Sequence, residues 1–249
     1  MEECLGMSKK QDTGSRRSNK IMLISCGLAM IAALIVGVII NNATAESRFE
    51  GEMVAMNDAF SAGKEQKIDE VLNRTVSAGD YAKVEKSLKS YVGDLYKNIT
   101  DIKSIADSEA VYDALDGKYL KKNRDKLATV VSELKDANTQ VEKLSNDYER
   151  LYSEDGVMDY AKDQNLNENF SKLYHENAKI FYDDDDLRKD YNSTLNVMAA
   201  TIKVEIEAVE YLKNHLSDWE IKDGAIKFKN SNTEKAYYKI LQKVEEYQK

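Results

Sequence analysis

The sequence of 249 residues contains no proline, and glycine accounts for only 11 positions. Proline interrupts a helix because it lacks a backbone donor and clashes with the preceding turn, so its absence allows helices to run long. Most glycines beyond residue 60 stand among turn-forming residues, as in Ser77–Asp80 and Glu154–Gly156. We therefore expect a mostly α-helical protein whose helices are separated at these glycines.

Cysteine is nearly absent, and this limits the chemistry of the chain. Cys4 and Cys26 are the two cysteines, so residues 41–249 can form no internal disulfide and must be stabilised by packing. The two histidines, His175 and His215, have no cysteine nearby in sequence to complete a zinc site. We interpret both as surface or packing residues, because a catalytic dyad would need a nucleophile and an orienting acid that the sequence does not position.

Long hydrophobic runs are also rare, and the one exception is Ile21–Ile40. About 20 apolar residues at roughly 1.5 Å each span the ~30 Å hydrocarbon core of a bilayer, which predicts a single transmembrane helix over 21–40. Five basic residues precede the run, whereas Arg48 is the only basic residue among the fifteen that follow it. The positive-inside bias then predicts a cytoplasmic tail at 1–20 and an extracytoplasmic part beyond residue 40.

Two processing signals compete with this anchor. Ala43–Ala45 has the small-x-small form of a signal peptidase site, and cleavage there would release a soluble domain. The apolar run is longer than the 7–15 residues usual for a signal peptide, so we favour retention. Leu23–Cys26 loosely resembles a lipobox, but most of the apolar run follows Cys26, whereas a lipobox closes such a run.

Excess positive charge is lacking as well. Residues 41–249 carry a net charge of about −10. Binding to nucleic acid or to an anionic lipid surface requires clustered Lys and Arg, so the overall balance argues against both kinds of partner.

The segments between the glycines show a helical period. A heptad seam of apolar residues spaced three and four apart predicts a long helix with coiled-coil-like packing at Leu127, Val130, Leu134, Ala137, Val141, Leu144, Tyr148 and Leu151. A second stripe follows a cap at Asp80 and comprises Tyr81, Val84, Leu88, Tyr91, Leu95, Ile99 and Ile102. A third comprises Tyr191, Leu195, Met198, Ile202, Val209, Leu212 and Leu216.

The third stripe contains one irregularity, since Glu205 stands at the expected seam position and the apolar residue is Ile206. This predicts a local shift of the stripe or a partly solvated seam. A shorter amphipathic helix carries Phe170, Leu173, Ile180 and Phe181, and a membrane-proximal helix carries Phe49, Met53, Phe60, Ile68 and Leu72. We expect an antiparallel bundle of four or more helices, because short connections favour neighbours that run in opposite directions.

The period changes from helical to alternating near the C-terminus. Asp223 and Gly224, the preferred centre of a type I′ turn, predict a β-hairpin over 219–229 in which Trp219 opposes Phe228. Because an isolated hairpin is marginal in water, its apolar face should lie on the bundle. The segment Ser231–Glu234 has the form of a capping box and predicts a final helix over 232–247.

The remaining polar features favour structural roles. The run Asp183–Asp186 lacks the spacing, glycine and closing glutamate of an EF-hand, so we interpret it as the capped, acidic start of the next helix rather than a calcium site. Fifteen tyrosines mostly fall on or beside the stripes, which indicates residues at the edge of the core. Four Asn-x-Ser/Thr matches are interpreted as chance occurrences in an Asn-rich chain, and they begin at Asn73, Asn98, Asn169 and Asn192.

The predicted organisation is a cytoplasmic tail at 1–20, a transmembrane helix at 21–40, a membrane-proximal helical stalk at 41–79 and a helical bundle at 80–249. The block Thr75–Lys86, Tyr91 and the hairpin resemble uncharacterised single-pass membrane proteins of Gram-positive bacteria. The resemblance implies a place on the outer face of the plasma membrane and implies no activity.

No catalytic or cofactor motif is recognisable, so we predict neither catalytic, cofactor-binding nor metal-binding residues. We expect a non-catalytic module, anchored in the plasma membrane, that interacts with a protein or cell-wall partner. The alternative is an extracytoplasmic ligand-binding or sensing bundle that acts through the span. The short tail is a weakness of that alternative, because about 20 residues cannot hold a signalling domain.

Overall fold

A computed structural model describes residues 47–182 and 185–246. The predicted cytoplasmic tail and the predicted transmembrane helix at 21–40 lie outside the described residues. Among the residues that are described, no helix combines the length and hydrophobicity needed to cross a bilayer.

The described chain is mostly helical and contains one two-stranded antiparallel hairpin, which confirms the predicted fold class at this level. In order the helices and strands are α1 (Ser47–Ser61), α2 (Glu65–Asn73), α3 (Gly79–Asp107), α4 (Glu109–Tyr112), α5 (Gly117–Lys122), α6 (Leu127–Leu151), α7 (Glu154–Asp163), α8 (Glu168–Tyr182), α9 (Asp185–Asn214), β1 (Trp219–Lys222), β2 (Ala225–Phe228) and α10 (Ser231–Glu246). Short 3-10 turns lie at Arg124–Lys126 and Leu216–Asp218.

The described residues divide into two compact units. Unit 1 contains residues 47–101 together with 146–182 and 185–191, and unit 2 contains 102–145 and 192–246. The predicted division at residue 79 is therefore not where the structure divides. The physical reason is that α1 and α2 bury Phe49, Met53 and Phe60 within unit 1, so they form part of a core rather than a separate stalk.

Within unit 1, the predicted single membrane-proximal helix is two helices. Gly63 has a φ of 60°, a left-handed conformation that ends α1 before α2 begins. The ring of Phe49 contacts Tyr81, and further along both helices Phe60 contacts Tyr96. Because the contacts follow the same order on both, α1 and α3 run in the same direction, with α2 as the returning helix between them.

The stripes predicted on the long helices are largely confirmed. On α6 every seam residue is buried except Leu144, which is half-buried. Neither the predicted shift of the stripe nor a partly solvated seam is found at Glu205, because its side chain is only 4% exposed while Ile206 is half-buried. Leu216 does not continue the stripe, since α9 ends at Asn214 and Leu216 is 42% exposed.

The buried face of α8 differs from the prediction. Its fully buried residues are Tyr174 and Ala178, whereas Phe170 and Leu173 are half-buried. The Tyr174 hydroxyl donates to the carbonyl of Val157 at 2.7 Å, which fixes this face of α8 against α7. The side chains of the other two predicted stripe residues of this helix lie outside the described residues.

The C-terminal hairpin confirms the predicted register, with Trp219 opposite Phe228. Asp223 and Gly224 both have positive φ, 54° and 75°, as a type I′ turn requires. Trp219 is fully buried and its indole N–H donates to the carbonyl of Leu212 at 2.8 Å, so the hairpin lies on the helices of unit 2.

The capping residue of the last helix differs from the prediction. Asn230, not Ser231, accepts the hydrogen bond that caps α10, because its Oδ1 lies 2.8 Å from the backbone N of Thr233. The helix therefore starts one residue earlier than predicted, at Ser231.

Candidate functional site

The described part of the aspartate run, Asp185 and Asp186, opens α9. Asp186 is fully solvated, and its carboxylate lies 3.9 Å from Lys189 one turn later. The first two aspartates of the run are outside the described residues. Within the part of the chain that the structure describes, no group of three or more His, Cys, Asp or Glu residues has the arrangement of a metal site.

His175 contacts both a phenol and a carboxylate in unit 1. Its Nε2 lies 2.5 Å from the Tyr182 hydroxyl and 3.3 Å from Oε1 of Glu154. In a catalytic triad the acid and the nucleophile bind opposite ring nitrogens, so that the acid orients the base. Here one nitrogen serves both partners, and the arrangement lacks the geometry of a relay.

His215, in unit 2, has a local packing role. Its Nδ1 is 2.8 Å from the carbonyl of Tyr211 one turn earlier, and the two rings stack with centroids 4.1 Å apart. This matches the interpretation of His215 as a packing residue.

Three tyrosines of unit 1 lie deeper than predicted, whereas Tyr81 is half-buried, as expected at the edge of the core. Tyr91, Tyr148 and Tyr191 are buried in the core rather than placed at its edge. The Tyr91 hydroxyl donates to the carbonyl of Leu151 at 3.0 Å, and burial raises the pKa of Tyr91 well above its ordinary value. Burial also raises the pKa of Tyr148 and of Tyr191, so the three phenols stay protonated and serve packing.

The most unusual chemistry of unit 1 is a group of four charged residues that we call the Glu52–Lys89 cluster: Glu52 on α1, Arg74 after α2, and Glu85 and Lys89 on α3. Glu52 and Lys89 are 3% and 4% exposed, and Glu85 is fully buried. The Lys89 ammonium donates to Glu52 at 2.5 Å, to Glu85 at 2.7 Å and to the carbonyl of Arg74 at 2.8 Å.

Both carboxylates of the cluster have further donors. The Arg74 guanidinium forms a two-pronged contact with Glu52, with distances of 2.8 and 2.9 Å. The backbone N–H groups of Val76 and Ser77 donate to Glu85 at 3.1 and 2.8 Å. Two segments are thus held against α3. The connection between α2 and α3 is held by its backbone N–H groups, and α1 is held by the ion pair between Glu52 and Lys89.

The acidity of the cluster follows from these contacts. Burial raises the pKa of Glu52, but hydrogen bonds from Arg74 and Lys89 outweigh it, and the net pKa lies below the ordinary value. Burial likewise raises the pKa of Glu85, and hydrogen bonds from Lys89 and Ser77 lower it overall. All three ammonium hydrogens of Lys89 are used in bonds within the cluster.

None of these four residues was predicted as a special site from the sequence. The available signal was the Glu85–Lys89 pair, four residues apart on a predicted helix. The exposed pair Lys97–Asp101 on the same helix has the same spacing. Spacing alone therefore could not separate a buried pair from an exposed one.

One of the glycosylation-like sequences is inaccessible in the folded protein, since its acceptor Asn98 is only 4% exposed.

In comparisons with protein-family models, curated proteins and solved structures, nothing matches the chain. The resemblance to Gram-positive single-pass proteins stays a prediction.

Proposed function

We propose that this chain is a membrane-tethered extracytoplasmic helical module that binds a protein partner or a cell-wall component and does not catalyse a reaction. The proposed tether is the apolar segment 21–40, whose length fits the ~30 Å core of a bilayer. The basic residues before it favour an outward-facing C-terminal part.

The observation that carries the proposal is the Glu52–Lys89 cluster. Active sites commonly hold titratable groups in a cleft, where they meet substrate with a pKa suited to proton transfer. In this cluster the buried charged groups instead bind one another and the nearby backbone, as the three bonds of Lys89 illustrate. This supports a rigid scaffold whose interior chemistry serves the fold and whose surface is left for recognition.

The surface charge supports a particular class of partner. Residues 41–249 carry a net charge of about −10, which favours association with a basic protein surface or another cationic polymer. Binding of this kind should weaken as ionic strength rises, because exposed charges are screened beyond about 10 Å at 0.1 M salt.

Crosslinking in intact cells that produce the full chain tests the proposal. A lysine-reactive reagent that does not cross membranes should link the protein to an external partner, and the protein should fractionate with membranes. Replacing Leu28 and Ile31 by Arg provides the control, since each charge costs about 2.5–3.5 kcal/mol near the centre of a span. The control should lose both properties.

Two results would contradict the proposal. The first is a mature N-terminus at Glu46, which would show that the apolar segment is removed. The second is a full chain that is found in the cytosol and protected from the reagent.

A further inference from the structure

Three helices of unit 1 begin at a common end. Phe49 in the first turn of α1 contacts Tyr81 in the first turn of α3, with ring centroids 6.1 Å apart. Tyr81 in turn meets Phe170 of α8 edge to face at 5.0 Å. Just before α8, the amide of Asn167 lies 3.4 Å from the carboxylate of Asp80. We call this region the helix-start end of unit 1.

The aromatic residues of the helix-start end are only partly covered. Phe49 is buried, while Tyr81 and Phe170 are half-buried. Aromatic side chains are enriched where a protein meets the headgroup layer of a membrane, because a ring can enter the apolar boundary while its surroundings stay hydrated.

The helix-start end also differs in charge from the rest of the external chain. The first five residues of the three helices carry balanced charges, namely Arg48, Glu50, Asp80, Lys83, Glu168 and Lys172. Residues 41–249 as a whole are strongly acidic, at about −10. An anionic membrane surface would therefore repel the chain on average but not this end.

The connection to the proposed anchor is short. Six residues, 41–46, separate the apolar segment from the start of α1 at Ser47. A fully extended chain of this length reaches at most about 25 Å, and the headgroup layer on each side of a bilayer takes up about 5–8 Å of that distance. The start of α1 is therefore confined near the membrane if the anchor spans it.

From these observations we infer that the helix-start end of unit 1 docks on the headgroup layer of the membrane that holds the anchor, with Tyr81 and Phe170 facing the lipid. The inference rests on the proposed membrane tether and adds an orientation to it. The three helices that begin at this end, α1, α3 and α8, then lead away from the bilayer, so Lys97 lies about 25 Å further along α3 than Asp80.

Lipid-dependent quenching tests this orientation. The full chain, with Cys4→Ser and Cys26→Ala, is reconstituted into vesicles of phosphatidylcholine and phosphatidylglycerol, and a single cysteine at Asn169 or at Lys97 carries an environment-sensitive dye. Both positions are exposed, on α8 and on α3. A nitroxide on the lipid headgroup should quench the dye at residue 169 at least about threefold more than the dye at 97, given the ~25 Å difference in height.

Charge reversal supplies a second readout. Lys83→Glu with Lys172→Glu makes the helix-start end acidic. In anionic vesicles, quenching of the dye at residue 169 should then fall to the level seen at residue 97. In vesicles of pure phosphatidylcholine, quenching at 169 should persist. The matched control is Lys64→Glu with Lys97→Glu, which changes net charge equally at exposed positions away from this end and should leave quenching at 169 unchanged.

The outcomes separate the inference from the proposed function. A chain that does not float with vesicles overturns both the tether and the docked orientation. A chain that floats, but shows equal quenching at 169 and 97, overturns the docking alone. Equal responses to the two charge reversals would also overturn it.

Discussion

Replacing Lys89 by Met should destabilise unit 1 strongly. The side chain is 4% exposed, and the substitution removes hydrogen bonds to Glu52, Glu85 and the carbonyl of Arg74. Removing one partner of a buried ion pair typically costs 3–5 kcal/mol, because the other charge remains buried. Glu52 keeps its guanidinium contact and Glu85 keeps its backbone donors, so we expect the lower limit, about 3 kcal/mol.

The matched control is Lys97→Met on the same helix. Lys97 pairs with Asp101 across one turn at 2.6 Å, but the two side chains are 71% and 43% exposed. Pairs of this kind contribute at most about 0.5 kcal/mol. Urea denaturation of residues 46–249, monitored by far-UV circular dichroism, measures the free energy of unfolding of both variants. If the two variants differ by less than about 1 kcal/mol, the buried cluster does not stabilise the fold as argued.

The same cluster predicts an acid dependence. Glu52 and Glu85 have folded-state pKa values below the ordinary 4.5, so their contribution is complete above that value and is lost as pH falls through the lowered folded pKa. Lys89→Met removes one cause of the lowering and with it part of the stability present at neutral pH, so the less stable variant should begin to unfold in acid at a higher pH than the unchanged protein. Coincident acid transitions would count against this account.

Three further predictions concern unit 2. Gly117→Ala should displace the hairpin and cost about 1–3 kcal/mol, because a Cβ would lie 2.1 Å from a backbone carbonyl of the hairpin turn. Gly51→Ala is the control: its Cβ would meet open space, so it should not destabilise the protein. Urea denaturation compares the two variants. Leu134→Asp should cost about 3–5 kcal/mol in the same assay, because it places a charge at a buried position. Lys135→Asp, at a side chain that is 56% exposed, should cost less than about 1 kcal/mol. Equal losses would contradict the seam. Trp219, fully buried, should emit at short wavelength and resist acrylamide until unit 2 unfolds, and a red-shifted, quenchable Trp219 would contradict the packed hairpin.

The sequence was most informative where local rules determine the structure. The three-and-four spacing from Leu127 to Leu151 specifies which face of α6 is buried, whatever it packs against. The hairpin is specified by Asp223 and Gly224, whose positive φ values are those that a type I′ turn requires. Both features follow from a few neighbouring residues, so a single sequence was enough to predict them.

The sequence was least informative about polar residues whose environment depends on distant parts of the chain. Glu205 breaks an apolar stripe, and by hydrophobicity alone Ile206 should replace it in the core, yet Glu205 remains the buried one. On a rigid helix the direction of a side chain is set by its position, so the backbone keeps the seam and the acid is buried with it.

The Glu52–Lys89 cluster shows the same limit more sharply. Glu85 and Lys89 are one helical turn apart, and nothing local distinguishes them from a solvated pair. Their partners in the core are distant in the sequence. Lys89 binds Glu52, which is 37 residues away, and the carbonyl of Arg74, which lies just beyond the end of α2 and so takes no part in that helix. Helical periodicity carries information over a few turns, whereas this cluster depends on how three separate segments meet. A charged pair on a predicted helix can therefore be assigned to surface or core only after its tertiary partners are known, and the Lys89→Met and Lys97→Met comparison measures the difference between those two environments.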